Sequence, residues 1–241
     1  MRTVAGLTLA TLLGAGACVA GPGREAATPS PGKAVGLPDA SAGPAGPAGK
    51  AAVGEAVRRA TVRISVQGCS GRWMGSGFVL DEGTVLTNRH VVDGARTITV
   101  TAGDGTSIGV TSASESNFVD LGVVHVARTS VQGLRLADVD SPRGTTVSVV
   151  GYPLDGPLTT TGGQIAEYVV EPAISAVDPV LRLNVDLNPG NSGGPVVDGD
   201  GRVVGVAYAS ERSTGYGLAV PASTVRAALR DVSGLVPVAP C

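Results

Sequence analysis

The sequence predicts an all-β fold of two six-stranded antiparallel β-barrels followed by a short C-terminal helix. Short runs rich in Val, Ile, Leu and Thr, separated by turn residues, recur from Thr61 to Val220. Between two of them, Asp198-Gly199-Asp200-Gly201 is a tight hairpin signal. Helical spacing is confined to the two ends of this stretch.

The elements follow in order. Gly54 to Ala60 suits a short lead-in helix. Thr61–Gln67, Trp73–Leu80 and Thr84–Thr87 read as the first three strands, and His90 opens a short turn or helix after them. Thr97–Thr101, Thr106–Ser112 and Leu121–Ala127 complete a first set of six. Thr145–Val150, Gly162–Val170, Leu181–Val185, Pro195–Val197, Val203–Ala209 and Tyr216–Val220 form a second. Pro221-Ala222-Ser223 then starts an amphipathic helix to about Arg230, with Val225, Ala228 and Leu229 on its apolar face.

The 241 residues suit one domain with a tail, and residues 51–241 are enough to bury a sizeable core. Net charge is -2 and there is no basic block, which argues against a nucleic-acid partner. Met1 to Ala20 reads as an export signal, with Arg2 as the charged start, Val4 to Leu13 as the apolar stretch and Ala15-Gly16-Ala17 as a small-residue cleavage pattern. Cys18 follows at the place of a lipidated cysteine, although Ala15 stands where such signals usually have leucine. Lipoprotein, secreted protein and uncleaved membrane anchor all remain open, and each puts the domain outside the cytoplasm, in the cell envelope or beyond it. Residues 21–50, rich in Gly, Pro, Ala and Ser, hold too few large apolar residues to bury anything and are expected to be a disordered linker.

Three motifs carry chemistry. Thr87-Asn88-Arg89-His90-Val91-Val92 supplies a histidine, Val119-Asp120-Leu121-Gly122 an acid at the mouth of a strand, and Gly190-Asn191-Ser192-Gly193-Gly194-Pro195 a serine among glycines. A serine hydroxyl needs a base to take its proton, histidine titrates near neutrality, and an acid fixes the imidazole tautomer. Asp93 and Asp104, each followed by glycine, read as turn residues rather than as the acid. The Gly190 and Ser192 N–H groups are candidates for an oxyanion hole, which a sharp turn at glycine would let converge. Gly193 and Gly194 would leave room for a substrate backbone. His125 reads as a partly exposed strand residue, and without a Cys/His cluster no metal site and no cofactor are expected.

The stretch from Val62 to Arg230 resembles the trypsin-like serine proteases, and within them the bacterial HtrA-like branch. The motifs that carry the resemblance are Gly75-Ser76-Gly77-Phe78-Val79-Leu80, Asn188-Pro189-Gly190-Asn191-Ser192-Gly193-Gly194-Pro195 and Gly217-Leu218-Ala219-Val220-Pro221. The chain order His, Asp, Ser is the one this fold uses. The resemblance implies a serine endopeptidase acting on a protein or peptide through an acyl-enzyme at Ser192. It also implies that the PDZ module of the full HtrA proteins is absent, since only some twenty residues follow Pro221. Asn191 stands where vertebrate trypsins carry the aspartate that binds a new amino terminus, so that activation switch is not expected.

Asp186, six residues before Ser192, occupies the place of the acid that gives trypsins their basic specificity. HtrA-like enzymes favour small apolar residues instead, and Arg182 is a candidate partner for Asp186. With Ala209 and Gly217 as small wall residues, the expectation is a small or medium apolar P1 residue, with a basic one as the alternative.

Cys69 and Cys241 remain after Cys18, and two cysteines in an exported chain suggest a bridge. A similar actinobacterial periplasmic type, linked to acid resistance, has a cysteine near each end of its domain. A catalytically silent binding module and a serine esterase or transpeptidase stay open as alternatives on the same fold.

Overall fold

The computed structural model describes residues 54–172, 174–175, 178–210 and 215–241. The export signal, the linker and Cys18 lie outside the described residues. Helix α1 (Glu55–Ala60) leads into β1 (Thr61–Gly68), β2 (Arg72–Asp81) and β3 (Thr84–Thr87). Helix α2 (Arg89–Val92) follows, then β4 (Ala95–Thr101), β5 (Ser107–Ile108), β6 (Val110–Ser116) and β7 (Gly122–Val126). The second half holds β8 (Thr146–Gly151), β9 (Thr159–Val169), β10 (Val180–Asn184), β11 (Pro195–Val197), β12 (Val203–Ser210) and β13 (Gly217–Pro221). Helix α3 (Ala222–Arg230) and β14 (Leu235–Pro237) end the chain.

Alternation explains β1: Val62, Ile64 and Val66 are fully buried, while Arg63, Ser65 and Gln67 face the other way. Ile98 and Val100 of β4 and Val124 and Val126 of β7 add to this interior of Val, Ile and Ala. The Asp198–Arg202 hairpin forms as its sequence predicts. Asp198 accepts from the Asp200 and Arg202 N–H groups at 2.9 Å, and Gly201 takes φ +76.

The second half is a closed six-stranded barrel in the order β10-β13-β12-β11-β8-β9. The first half differs from the expected six-stranded barrel. It is an eight-stranded sheet in the order β14-β6-β7-β3-β2-β1-β4-β5, with no strand pairing between its two ends among the described residues. Two local features account for the extra strands. Gly109 interrupts the run read as one strand from Thr106 to Ser112, leaving the short β5 ahead of β6. The chain then returns from the second half after α3 and adds β14 to the edge of β6, pairing Val236 with Glu115.

A third core cluster lies between the halves. It joins Phe78, Leu86 and Leu121 to Val197, Val206 and Val220. Helix α3 buries Val225 in it, with Ala228 and Leu229 partly buried against it. Cys69 and Cys241 form a disulfide with 6.0 Å between their Cα atoms, and Gly94 makes a parallel bridge to Pro240. The C-terminal tail is therefore fixed to the first sheet at β6, at the turn after α2 and at the end of β1.

Candidate active site

Helix α2 presents His90 one residue after its first position, with Asn88 in extended conformation at its N-cap. Asp120 lies between β6 and β7. Its carboxylate is nearly inaccessible, and both its oxygens are engaged by one residue. The His90 backbone N–H donates to Oδ1 at 2.9 Å, and the His90 ring Nδ1 to Oδ2 at 2.8 Å. A carboxylate only accepts, so the ring proton sits on Nδ1 and the Nε2 lone pair faces outward. The Asn88 amide donates to the Asp120 carbonyl at 2.9 Å, and the Asp120 N–H to Ile174 at 2.8 Å. Asp120 is thus fixed from both sides of its own backbone.

Ser192 lies on the loop between β10 and β11. Its carbonyl accepts from the Ser76 N–H at 2.8 Å, and the Gly193 N–H donates to Ala207 at 2.8 Å. The Ser192 hydroxyl donates to the Tyr208 carbonyl at 2.6 Å. No hydrogen bond joins Ser192 to His90 among the described residues. The Tyr208 ring meets the His90 ring edge to face, with centroids 5.2 Å apart.

Residues Asn188 to Asn191 form a tight turn, closed by Asn191 N–H to the Asn188 carbonyl at 3.0 Å. Gly190 in third place has φ +97, the left-handed value a type II turn requires. The Pro189 carbonyl accepts from the Leu154 N–H at 2.7 Å. The Gly190 N–H belongs to the same trans peptide and points the opposite way. Neither it nor the Ser192 N–H has a partner among the described residues.

Ser76, on β2 of the first sheet, ties this loop to the first half. Its hydroxyl donates to the Gly190 carbonyl at 2.6 Å and accepts from the Tyr152 N–H at 2.9 Å. Gly193, at φ +86, and Gly194 are glycine for a different reason from the one expected. A Cβ on Gly193 would collide with the Ser76 carbonyl, and one on Gly194 with the Val150 carbonyl. The room they leave is used by the chain itself.

Asp186 is exposed, whereas the next residue, Leu187, is buried with its side chain against Gly217. Successive side chains of an extended segment face opposite ways, which puts the acid outward and the leucine inward. Arg182 pairs with Glu167 at 2.6 Å rather than with Asp186 and lies over the Tyr216 ring. The Ala209 backbone pairs with Leu218 across β12 and β13. His125 is exposed on β7, as expected. Ser76, Asn88 and Leu187 were not singled out from sequence. The first two sit inside motifs that were, and a small polar residue between two glycines was a readable signal for Ser76.

The sequence matches the family described as trypsin-like peptidase domain over residues 75–206. The chain belongs to this family. It is similar to a probable periplasmic serine endoprotease, DegP-like, of Halomonas elongata, with 33% identity over 148 residues covering 60% of this chain and 31% of that protein. It is also similar to the serine protease Rv3671c of Mycobacterium tuberculosis, with 34% identity over 155 residues covering 59% of this chain and 38% of that one. The chain spans about a third of the length of these curated relatives. Among solved structures, the active form of the Rv3671c protease superposes with a TM-score of 0.69 at 29% identity, covering 76% of this chain and 85% of that one. A serine endoprotease from Yersinia pestis gives a TM-score of 0.64 at 27% identity, covering 73% of this chain and 64% of that one.

Proposed function

We propose that this chain is an exported serine endopeptidase. The observation that carries the proposal is the Asp120 carboxylate held by both the ring and the backbone of His90, beside a serine on a glycine-locked loop. Ser192 is the nucleophile. It turns from the Tyr208 carbonyl to His90 Nε2, which takes its proton as the oxygen attacks the substrate carbonyl. Apo sites commonly complete such a bond only when substrate is present.

The Gly190 and Ser192 N–H groups stabilise the oxyanion of the tetrahedral intermediate. Protonated His90 then donates to the leaving amine, leaving an acyl-enzyme. Water, activated by the same histidine, releases the acid. Asp120 holds the ring in the productive tautomer and stabilises the imidazolium.

The primary pocket takes a small or medium apolar residue. The support is Leu187, buried against Gly217 where a specificity acid would have to stand, with Asp186 exposed. Met1 to Ala20 serves as the export signal and residues 21–50 as the linker, and the periplasmic naming of the DegP-like relative agrees with this placement. Cleavage of a peptide library by the purified chain beside its Ser192→Ala variant tests the reading. Cleavage by the first and not the second supports it, and equal outcomes refute it.

A further inference from the structure

We propose that Arg63, on β1 of the first sheet, is a positioning residue for the oxyanion hole. It acts by bracing the segment from Tyr152 to Gly156. This inference rests on the protease reading above and concerns how its Gly190 donor is kept in place.

The segment touches the nucleophile loop at the point that matters. The Leu154 N–H donates to the Pro189 carbonyl, and that bond sets which way the Pro189–Gly190 peptide faces. If the peptide turned over, the Gly190 N–H would leave the cleft and the Pro189 carbonyl would replace it.

The Leu154 N–H is held in place at a conformational cost. Leu154 has φ 54 and ψ 34, and Asp155 has φ 58, so two successive non-glycine residues are left-handed. Such a conformation persists only where its surroundings over-determine it. The Leu154 side chain does not supply that, because it is 71% exposed.

Arg63 does supply it, from both sides of Leu154. Its Nη1 meets Asp155 Oδ1 at 2.5 Å and its Nη2 donates to the Gly156 carbonyl at 2.7 Å. Its guanidinium carbon lies 4.7 Å from the centre of the Tyr152 ring. A planar fork that stacks on a ring and donates in two directions is specific to arginine, and a lysine cannot reproduce it. Arg63 is on the outward face of β1, where alternation places it by default, and the structure uses that face to hold a loop of the opposite half.

The test compares wild type with Arg63→Ala and Arg63→Lys, using the best peptide found by library cleavage and the peptide aldehyde of the same sequence. The aldehyde forms a hemiacetal with Ser192, so its affinity reports the oxyanion hole, while KM reports ground-state binding. For Arg63→Ala the expected result is a fall in kcat of about 10- to 100-fold, somewhat below or equal to the loss of a whole donor. Aldehyde affinity should fall by the same factor, with KM within about twofold. Arg63→Lys should lie between. Leu154→Gly, which relieves one left-handed position and keeps the Asp155 carboxylate in place, should shrink the Arg63→Ala effect, because the segment then needs less bracing.

If Arg63→Ala does not fold, Asp155→Ala cuts the same clamp from its exposed end and carries the same expectation. Unchanged kcat and aldehyde affinity in a folded variant would overturn the proposal alone. So would a loss confined to KM. A wild-type chain that neither cleaves peptides nor binds the aldehyde would overturn the protease reading and this inference with it.

Discussion

Ser192 donates its hydroxyl to the Tyr208 carbonyl at 2.6 Å, and the Tyr208 ring also meets the His90 ring edge to face. Ser192 and His90 therefore share Tyr208 as a common neighbour. Asp120 fixes the His90 ring through Nδ1, which leaves Nε2 as the atom the Ser192 hydroxyl would have to reach.

The roles proposed for Ser192, His90 and Asp120 predict distinct losses. Ser192→Ala or His90→Ala should lower kcat by about 10⁶, since the members of such a set act as a unit. Asp120→Asn should cost about 10⁴ by favouring the wrong tautomer. Asp93→Asn should stay within about twofold, as Asp93 is the C-cap of α2 and no hydrogen bond or ion pair joins it to His90 among the described residues. Steady-state kinetics of the four variants check this. A damaging Asp93→Asn beside a neutral Asp120→Asn would contradict it.

The disulfide predicts a stability effect. Cys69 and Cys241 are 172 residues apart, and a loop of that length is worth up to about 4–5 kcal/mol in the chain-entropy model. Replacing both with Ser should lower Tm by up to about 10–20 °C for a domain of this size. Thermal melts and non-reducing peptide mapping measure the two halves of this expectation.

Glu115 gives a pH dependence. Burial, followed by the nearby Asp93, pushes its carboxyl above the ordinary glutamate range, with Arg89 opposing. One of its oxygens is buried without a hydrogen-bond partner among the described residues. A raised carboxyl pKa favours the folded state when protonated, and that benefit is lost as pH rises through the folded value. Glu115→Gln should therefore raise Tm at pH 7. The gain should vanish near pH 4, below the usual glutamate pKa of about 4.3. A gain of equal size at both pH values would assign the effect to packing rather than to charge.

The apolar pocket proposed at Leu187 predicts a P1 preference. Substrates paired for Val against Arg at P1 should show Val preferred, and Asp186→Ala should leave the ratio unchanged. An Arg preference abolished by Asp186→Ala would give the acid the role assigned here to the leucine.

The strands and the three reactive residues were legible because each carries a local signal. Val62, Ile64 and Val66 alternate with polar residues, and His90, Asp120 and Ser192 stand in short motifs of fixed order. The eighth strand of the first sheet was not legible. Leu235–Pro237 has no strand pattern of its own and is a strand only because β6 offers an open edge. Leu154 and Arg63 left no trace either. Leucine is a poor choice for a left-handed residue, so sequence reasoning passes over the position that holds the Pro189 carbonyl. The Arg63–Asp155 contact spans 92 residues of chain and depends on how the two halves pack.

Covalent labelling tests the central claim most directly. A fluorophosphonate probe should add one adduct to the purified chain, mapped by peptide mass to Ser192 and lost in both Ser192→Ala and His90→Ala. Absence of labelling in the folded wild type, or an adduct that survives either substitution, would contradict the assignment of Ser192 as a nucleophile activated by His90.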